Sequence, residues 1–546
     1  MARSLPLLVV LAAVLAAGSA AAAGTTPGCT GTCFSAPAGS GALLLFSGHG
    51  YGHGVGMSQY GAYGYAQHGS TFEQILSHYY PGTTLGPAPV SKIRVLLADR
   101  RKTLQISSSV PFTVRDGTGR KHTLAAGTVS FGPGLRLPVD GAVSAQKLTA
   151  PLTFGAGKGG PLTLTRPYRG QIQVDVVDGK LRAIDIVGLE QYLYGVVPSE
   201  MPSTWAPEAL KAQAVAARSY ALATRQVAAP FDVYSDTRSQ MYLGLSNESQ
   251  AASSAVDLTK GKVLFYGGTI ATTFFSSTSG GRTESSADWT GTAVPYLISV
   301  TDPYDAISPY HNWGPVPVTA QTVSKKLAVH GSIIDATTAP NAAGRVASLD
   351  LVTALDTVPV PGTKLRAALG LRSTWFTVDV LSLAAPSPNP PVPYGSPVTL
   401  GGAIRGLADV TLEARPAGGT WQPVGPVAPG TVRLTQKPAS TTDYRLATPT
   451  ATAGSVRIRV APAVTVTSFT TTQVVGSEQP LLPGAAVQVQ QQSGGATWST
   501  VATGSVAADG TYTVPVTLSS GGTYRVSVVP EAGYAAGASP PQVVVR

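Results

Sequence analysis

The carboxyl group best placed to do chemistry is that of Glu200, in LEQYLYGVVPSEMPSTW (Leu189–Trp205). It stands between Pro198 and Pro202, which restrict the backbone on either side, with Val196, Val197, Met201 and Trp205 as near neighbours. A carboxyl in apolar surroundings resists ionisation, so it can keep its proton near neutral pH and serve as a general acid. Taken alone, the same residues also describe a surface or capping glutamate.

A second stretch, SGHGYGHGVGMSQYGAYGYAQHG (Ser47–Gly69), sets histidines among closely spaced glycines. It contains neither G-x-G-x-x-G nor G-x-x-x-x-G-K-[ST], which excludes a phosphate-cradling loop. His49, His53 and His68 have no carboxylate nearby to complete a metal site, and no metal or other cofactor is expected. The glycines let the backbone turn tightly and approach a ligand closely. That would direct His53, Ser58 and Gln59 at polar groups of the ligand, with Tyr60, Tyr79 or Tyr80 as stacking surfaces. The plainer alternative is a loop that only packs against the Glu200 segment. A serine-nucleophile elbow, G-x-S-x-G, is absent.

Several elements that must position these groups can be read. APEALKAQAVAARSYALATRQVA (Ala206–Ala228) is a helix by composition, with Pro207 and Glu208 suited to its first turn. Leu210, Ala214, Ala217 and Ala221 share one face at helical spacing, and their small size permits close packing. Gln213 and Tyr220 fall roughly opposite Lys211 and Arg218, so at most one of these pairs can face a ligand. Residues 92–190 are strand-rich, and Asp178-Gly179 between alternating runs marks a hairpin. In FFSSTSGG, Ser276 and Ser279 either line a groove or belong to a turn between strands. Trp289, His311 and Trp313 sit in loop-like segments.

The 546-residue length calls for several domains. Charged residues make up only 12% while Gly (61) and Pro (43) abound, which favours turn-rich β modules. The net charge of +10 is spread out rather than clustered, so a nucleic-acid partner is not expected. Arg3, the apolar run Leu5–Ala17 and the small residues after it read as a signal peptide, residues 1–23. No later segment is apolar over the ~18 residues of a membrane span. The chain is therefore expected to be secreted and extracellular, without a transmembrane anchor after cleavage. Residues 24–44 form a linker holding Cys29 and Cys33, which either close a small disulfide, remain tail thiols or join His49 and His53 at a metal. Pro386–Pro393 reads as a stiff linker. Beyond it VTLEARPAGGTWQPV and VQVQQQSGGATWSTV repeat, with Trp421 and Trp498 77 residues apart and Tyr444 and Tyr524 80 apart. The expected architecture is an α+β catalytic domain (45–385) containing a β-rich subdomain (92–190). Two all-β immunoglobulin-like sandwich modules follow, 394–462 and 463–546.

VVPSEMPSTWAPEALKAQAVAARSYAL (Val196–Leu222) resembles the signature of the stage II sporulation protein D / LytB family of bacterial cell-wall proteins. SDTRSQMYLG (Ser235–Gly244), the segment Ala271–Asp305, LGLRSTWFTV (Leu369–Val378) and GYGHGVGMSQYGAYGYAQHGSTFEQILSHYYPGTTL (Gly50–Leu85) extend the resemblance. It implies a peptidoglycan lytic transglycosylase acting on glycan strands, with Glu200 on the family's catalytic glutamate. His53, Ser58, Gln59, Lys211, Gln213, Arg218, Tyr220, Ser276 and Ser279 are its candidate substrate contacts. The LytB side implies instead a non-catalytic wall-binding protein that enhances a cell-wall amidase. Two departures stand out. The glycine–histidine block precedes the glutamate block rather than following it, so residues 46–85 must dock back onto the 190–378 region. Ser235, Arg238 and Ser239 stand where some members carry zinc ligands.

Overall fold

A computed structural model describes residues 33–518 and 520–545. The expected leader and Cys29 lie outside the described residues; Cys33 is disulfide-bonded. The chain is a strand-rich mixture of helices and sheets, and among the described residues no helix is long and apolar enough to cross a membrane.

The apolar run Leu43–Phe46 begins the strand Leu43–His49. Side chains alternate across a strand, so Leu44 and Phe46 enter one core while Leu43 and Leu45 enter another. A strand buried on both faces needs an unbroken apolar run, as found here. This strand lies between Asn312–Thr319 and Phe376–Ala384, antiparallel to both. The same sheet continues to Val398–Arg405 and Gly430–Gln436. Strands on both sides of the Pro386–Pro393 segment thus belong to one sheet. Residues 394–462 share their core with Leu43, Leu45, Leu381 and Leu383 rather than standing off on a spacer. The last residues form two further sheets around their own apolar core, which includes Val487, Tyr512, Tyr524 and Val526.

In the β-rich part, strands Gln171–Val177 and Lys180–Gly188 pair through the expected hairpin, with Asp178 and Gly179 both at positive φ (49° and 66°). Lys180–Gly188 pairs next with Lys92–Arg101 and runs directly into a helix. Four helices, α1 (Gln59–Gln67), α2 (Phe72–Tyr79), α3 (Leu189–Glu200) and α5 (Gln250–Leu258), pack on α4 (Pro207–Thr224). The α4 helix starts at Pro207 as expected, and every residue from Ala209 to Leu222 except Lys211 is buried. The segment before it differs from expectation. Glu200 ends α3, with Pro198 inside the last turn and the Met201 N–H closing that turn on the Val197 carbonyl. Burial of Leu189, Tyr192, Leu193, Val196 and Val197 against the core outweighs the valines' and proline's poor helix propensity.

The glycine-rich stretch is a turn followed by two helices. Gly50, Gly52, Gly54 and Gly56 all take positive φ. At Gly56 a Cβ would lie 2.1 Å from the Phe274 carbonyl oxygen, so only glycine fits. Ser58 then caps α1 by accepting the Gly61 N–H, and Thr71 with Gln74 forms a capping box on α2.

Candidate active site

The N-terminal block does dock onto the Glu200 region. Met57–Ser58 pairs in parallel with Phe275–Ser276, and the Phe72 N–H donates to Glu208 on α4 (2.8 Å). Gln59 Nε2 donates to the backbone carbonyl of Glu200 (2.9 Å). Two segments distant in sequence thus meet at the end of α3.

Glu200 is half-buried in a small pocket with His53, Tyr220, Gln240, Met241 and Phe275. Loss of solvation raises its carboxyl to about 7, opposed by one N–H donation from Met241 to Oε1 (3.3 Å). The carboxyl is therefore shared between its acid and base forms at neutral pH. The enclosed space measures about 30 Å³. That admits a water-sized group, and anything larger must lie across the mouth.

Met241 comes from a loop whose own residues hold it. Asp236 pairs with Arg238, the Arg238 guanidinium lies 3.9 Å from the centre of the Tyr234 ring, and Ser239 Oγ accepts the Tyr234 N–H. Beside it, Gln240 accepts from the Tyr192 hydroxyl (3.1 Å) and donates to the Ala217 carbonyl. This tethers the loop to both α3 and α4.

His53 is buried. Its Nδ1 accepts the Val55 N–H, and its ring stacks on Trp289 (4.7 Å, 20°). Burial, followed by the positive charges of Arg366 and Arg345, lowers its pKa to about 3. It is a neutral ring at any pH of interest, with the proton on Nε2 because Nδ1 is an acceptor. Tyr220 lines the same pocket, its hydroxyl pushed up to about 12 by burial and by the Glu200 charge.

The other expected contacts separate. Gln213 is fully buried and its Oε1 faces Gln59 Nε2 at 3.5 Å, so Gln213 and Tyr220 lie on the Glu200 side of α4. Lys211 pairs with Glu208 at the surface. Arg218 is fully buried, bonded to Glu190 and to the Lys262 carbonyl; both are structural because α4 turns them away from the pocket. Ser58 and Ser279 also leave the proposed ligand surface. Ser58 Oγ donates to Asp305 (2.6 Å) and Ser279 Oγ to Asp302 (2.8 Å). Ser276 is buried in the strand pair, against Gly52. Tyr79 and Tyr80 are core residues, unable to stack on a ligand. Tyr60 is half-buried and meets Trp205 edge-on, while Tyr63 stacks on the same indole (4.6 Å, 9°). Trp313 is buried, and His311 Nδ1 donates to the Asp305 carboxylate (3.0 Å).

Sequence reasoning missed Asp302 and Asp305. Asp305 receives Ser58 Oγ, Thr278 Oγ1 and the N–H groups of Ser279 and Gly280. Asp302 receives Tyr79 and Ser279, and burial with the Asp305 charge raises it to about 7. Together they pin the glycine turn to the 271–305 segment. Their signal was the DPYD sequence following FFSSTSGG. Met241 was missed because its contribution is a backbone N–H, which no residue type announces.

A family model described as stage II sporulation protein (SpoIID) matches residues 177–266, a span containing Glu200, Gln213, Tyr220 and the Met241 loop. The chain is 31% identical to Stage II sporulation protein D of Bacillus subtilis strain 168 over 255 residues, covering 43% of this chain and 72% of that protein. It is 45% identical to the Amidase enhancer of the same strain over 113 residues, covering 21% of this chain and 15% of that protein. An uncharacterized protein of Brachyspira hyodysenteriae is 38% identical over 136 residues, 24% of this chain and 37% of that protein. The chain thus spans well under two thirds of the length of the last two relatives.

Proposed function

The chain belongs to the stage II sporulation protein D family, and from that premise we propose that it is a wall-associated lytic transglycosylase. It would cleave the β-1,4 bond between N-acetylmuramic acid and N-acetylglucosamine in peptidoglycan glycan strands. The observation that carries this reading is the Glu200 carboxyl, held near pH 7 at a pocket mouth with its backbone tied to Gln59.

Glycosidases with water as nucleophile use two carboxyl groups at a set separation. Here one suffices. Protonated Glu200 donates its proton to the glycosidic oxygen as the C1–O bond of muramic acid breaks, and the N-acetylglucosamine leaves with a free 4-hydroxyl. The Glu200 carboxylate then takes the proton from the muramoyl 6-hydroxyl, whose oxygen closes on C1 to give the 1,6-anhydro ring. The proton is regained and no water is consumed. The Met241 N–H favours the carboxylate of the second step, while burial favours the acid of the first. Tyr60 and Trp205 supply half-exposed rings next in sequence to Gln59 and a few residues after Glu200, suited to sugar faces.

The second reading is favoured by the Amidase enhancer similarity: a glycan-binding partner of a cell-wall amidase that breaks no bond itself. Digestion of purified glycan strands with the wild type and Glu200→Gln, followed by mass analysis, separates the two. Anhydro-ended fragments from the wild type alone support the enzyme. Intact strands from both proteins support the amidase partner.

A further inference from the structure

We propose that the cleft between residues 394–462 and the last module binds a phosphodiester-bearing anionic polymer, through Arg415, Arg457 and Arg459. The cleft has a volume of about 420 Å³, far larger than the space at Glu200, and Thr441, Asp443 and Tyr534 also line it.

Its chemistry is built by strand register. Arg415, Asp443 and Arg457 stand opposite one another on three neighbouring antiparallel strands. Asp443 takes Arg415 on one oxygen (2.9 Å) and Arg457 across both (2.7 and 3.0 Å). One carboxylate thus orients two guanidinium groups without neutralising both. Arg459 adds a third, anchored only by donation to the Asn389 carbonyl (2.8 Å). The site carries two net positive charges, with Arg457 still 65% exposed in its side chain. Guanidinium groups steered in this way present free N–H forks to an oxyanion.

The internal repeat shows that the fold does not require this cluster. In the last module Gln490 pairs with Arg525 and Gln491 with Tyr524, as Glu413 pairs with Arg445 and Ala414 with Tyr444 in the first. Carrying the register one step on puts Gln492, Thr523 and Val543 where the first module has Arg415, Asp443 and Arg457. The stack of an arginine on each module's tryptophan is kept (Arg445 on Trp421, Arg525 on Trp498), so the frame is shared and the charge is not. The last module instead supplies a wall. Gly533 accepts the Thr441 N–H and the Ala535 N–H donates to Val460, which seats Tyr534 over the arginines. Phosphate suits three convergent guanidinium groups better than a planar carboxylate, which one fork already satisfies.

The test is calorimetric titration of the full chain with a defined oligo(glycerol phosphate), with poly-glutamate as the carboxylate comparator. Wild type and Glu200→Gln should bind the phosphate oligomer equally, and added salt should weaken that binding. Arg459→Gln, which breaks no ion pair, should lose about 10-fold in affinity and Arg457→Gln about as much, the scale of one charge-assisted hydrogen bond. Arg433→Gln, on the exposed strand Gly430–Gln436 away from the cleft, should change nothing. Glycan digestion by Arg459→Gln should match wild type. Unchanged binding by folded Arg459→Gln and Arg457→Gln would overturn the proposal, as would poly-glutamate bound as tightly as the phosphate oligomer.

Discussion

Replacing Glu200 by Gln should make the protein more stable, by an amount that grows from about pH 4.5 and is complete above pH 7. The native carboxyl titrates at about 7 against an ordinary value of 4.5. Between those values the native state holds a proton that the unfolded chain has released. Stability therefore falls as pH rises from about 4.5 to 7, and the full penalty is present above 7. A gap of about 2.5 units at 1.36 kcal/mol each gives about 3 kcal/mol. Glu200 keeps part of its surface in solvent, which reduces this to about 2 kcal/mol. Glutamine retains an oxygen for the Met241 N–H and carries no charge, so the variant escapes the penalty. For a unit of about 340 residues or more the gain corresponds to about 2–3 °C in Tm. Scanning calorimetry of wild type and variant from pH 4 to 8 measures it: the two thermograms should coincide near pH 4 and separate progressively above pH 5. Every other titrating group is common to both proteins and cancels. A difference that does not vary with pH, or a variant less stable at pH 8, would refute the claim that burial holds the proton on Glu200.

Two further outcomes follow from the same geometry. Gly56→Ala places a Cβ 2.1 Å from the Phe274 carbonyl oxygen at φ +72°, and neither backbone can yield. It should lower stability by at least about 3 kcal/mol in urea unfolding, and an unchanged midpoint would contradict the fit described for the turn. Gln59→Leu removes the donor to the Glu200 carbonyl and should cut kcat/KM on glycan strands about 10-fold or more, with the circular dichroism spectrum retained. Wild-type turnover in that variant would show that Gln59 does not position the acid.

The parts of the fold that could be read were those where local and tertiary preferences agree. Pro207, Glu208 and the alanines announce α4, and Asp178-Gly179 announces its hairpin. The end of α3 was hidden because Pro198 and two valines oppose a helix that core burial imposes. The helices α1 and α2 were hidden by the glycines around them, although Ser58 and the Thr71–Gln74 capping box stood in the sequence. At the site, Glu200, His53, Gln59, Gln213 and Tyr220 come together. Ser58 and Ser279 turn inward because two buried aspartates, 23 and 26 residues beyond Ser279, demand their hydroxyl and amide groups. Apart from the DPYD segment itself, nothing in the sequence signals which hydroxyl and amide groups those carboxylates take.

The strand Leu43–His49 has an implication for how the molecule is made. Its partners, Asn312–Thr319 and Phe376–Ala384, are synthesised long after it. A growing chain therefore carries an apolar segment with no sheet to join until most of its length exists. The turn bearing His53 and the helix bearing Gln59 extend directly from that segment. Completion of the framework around Glu200 is accordingly a late event, and a chain stopped before Phe376 would possess every residue of the pocket while the strand that leads into it still lacks one of its two partners.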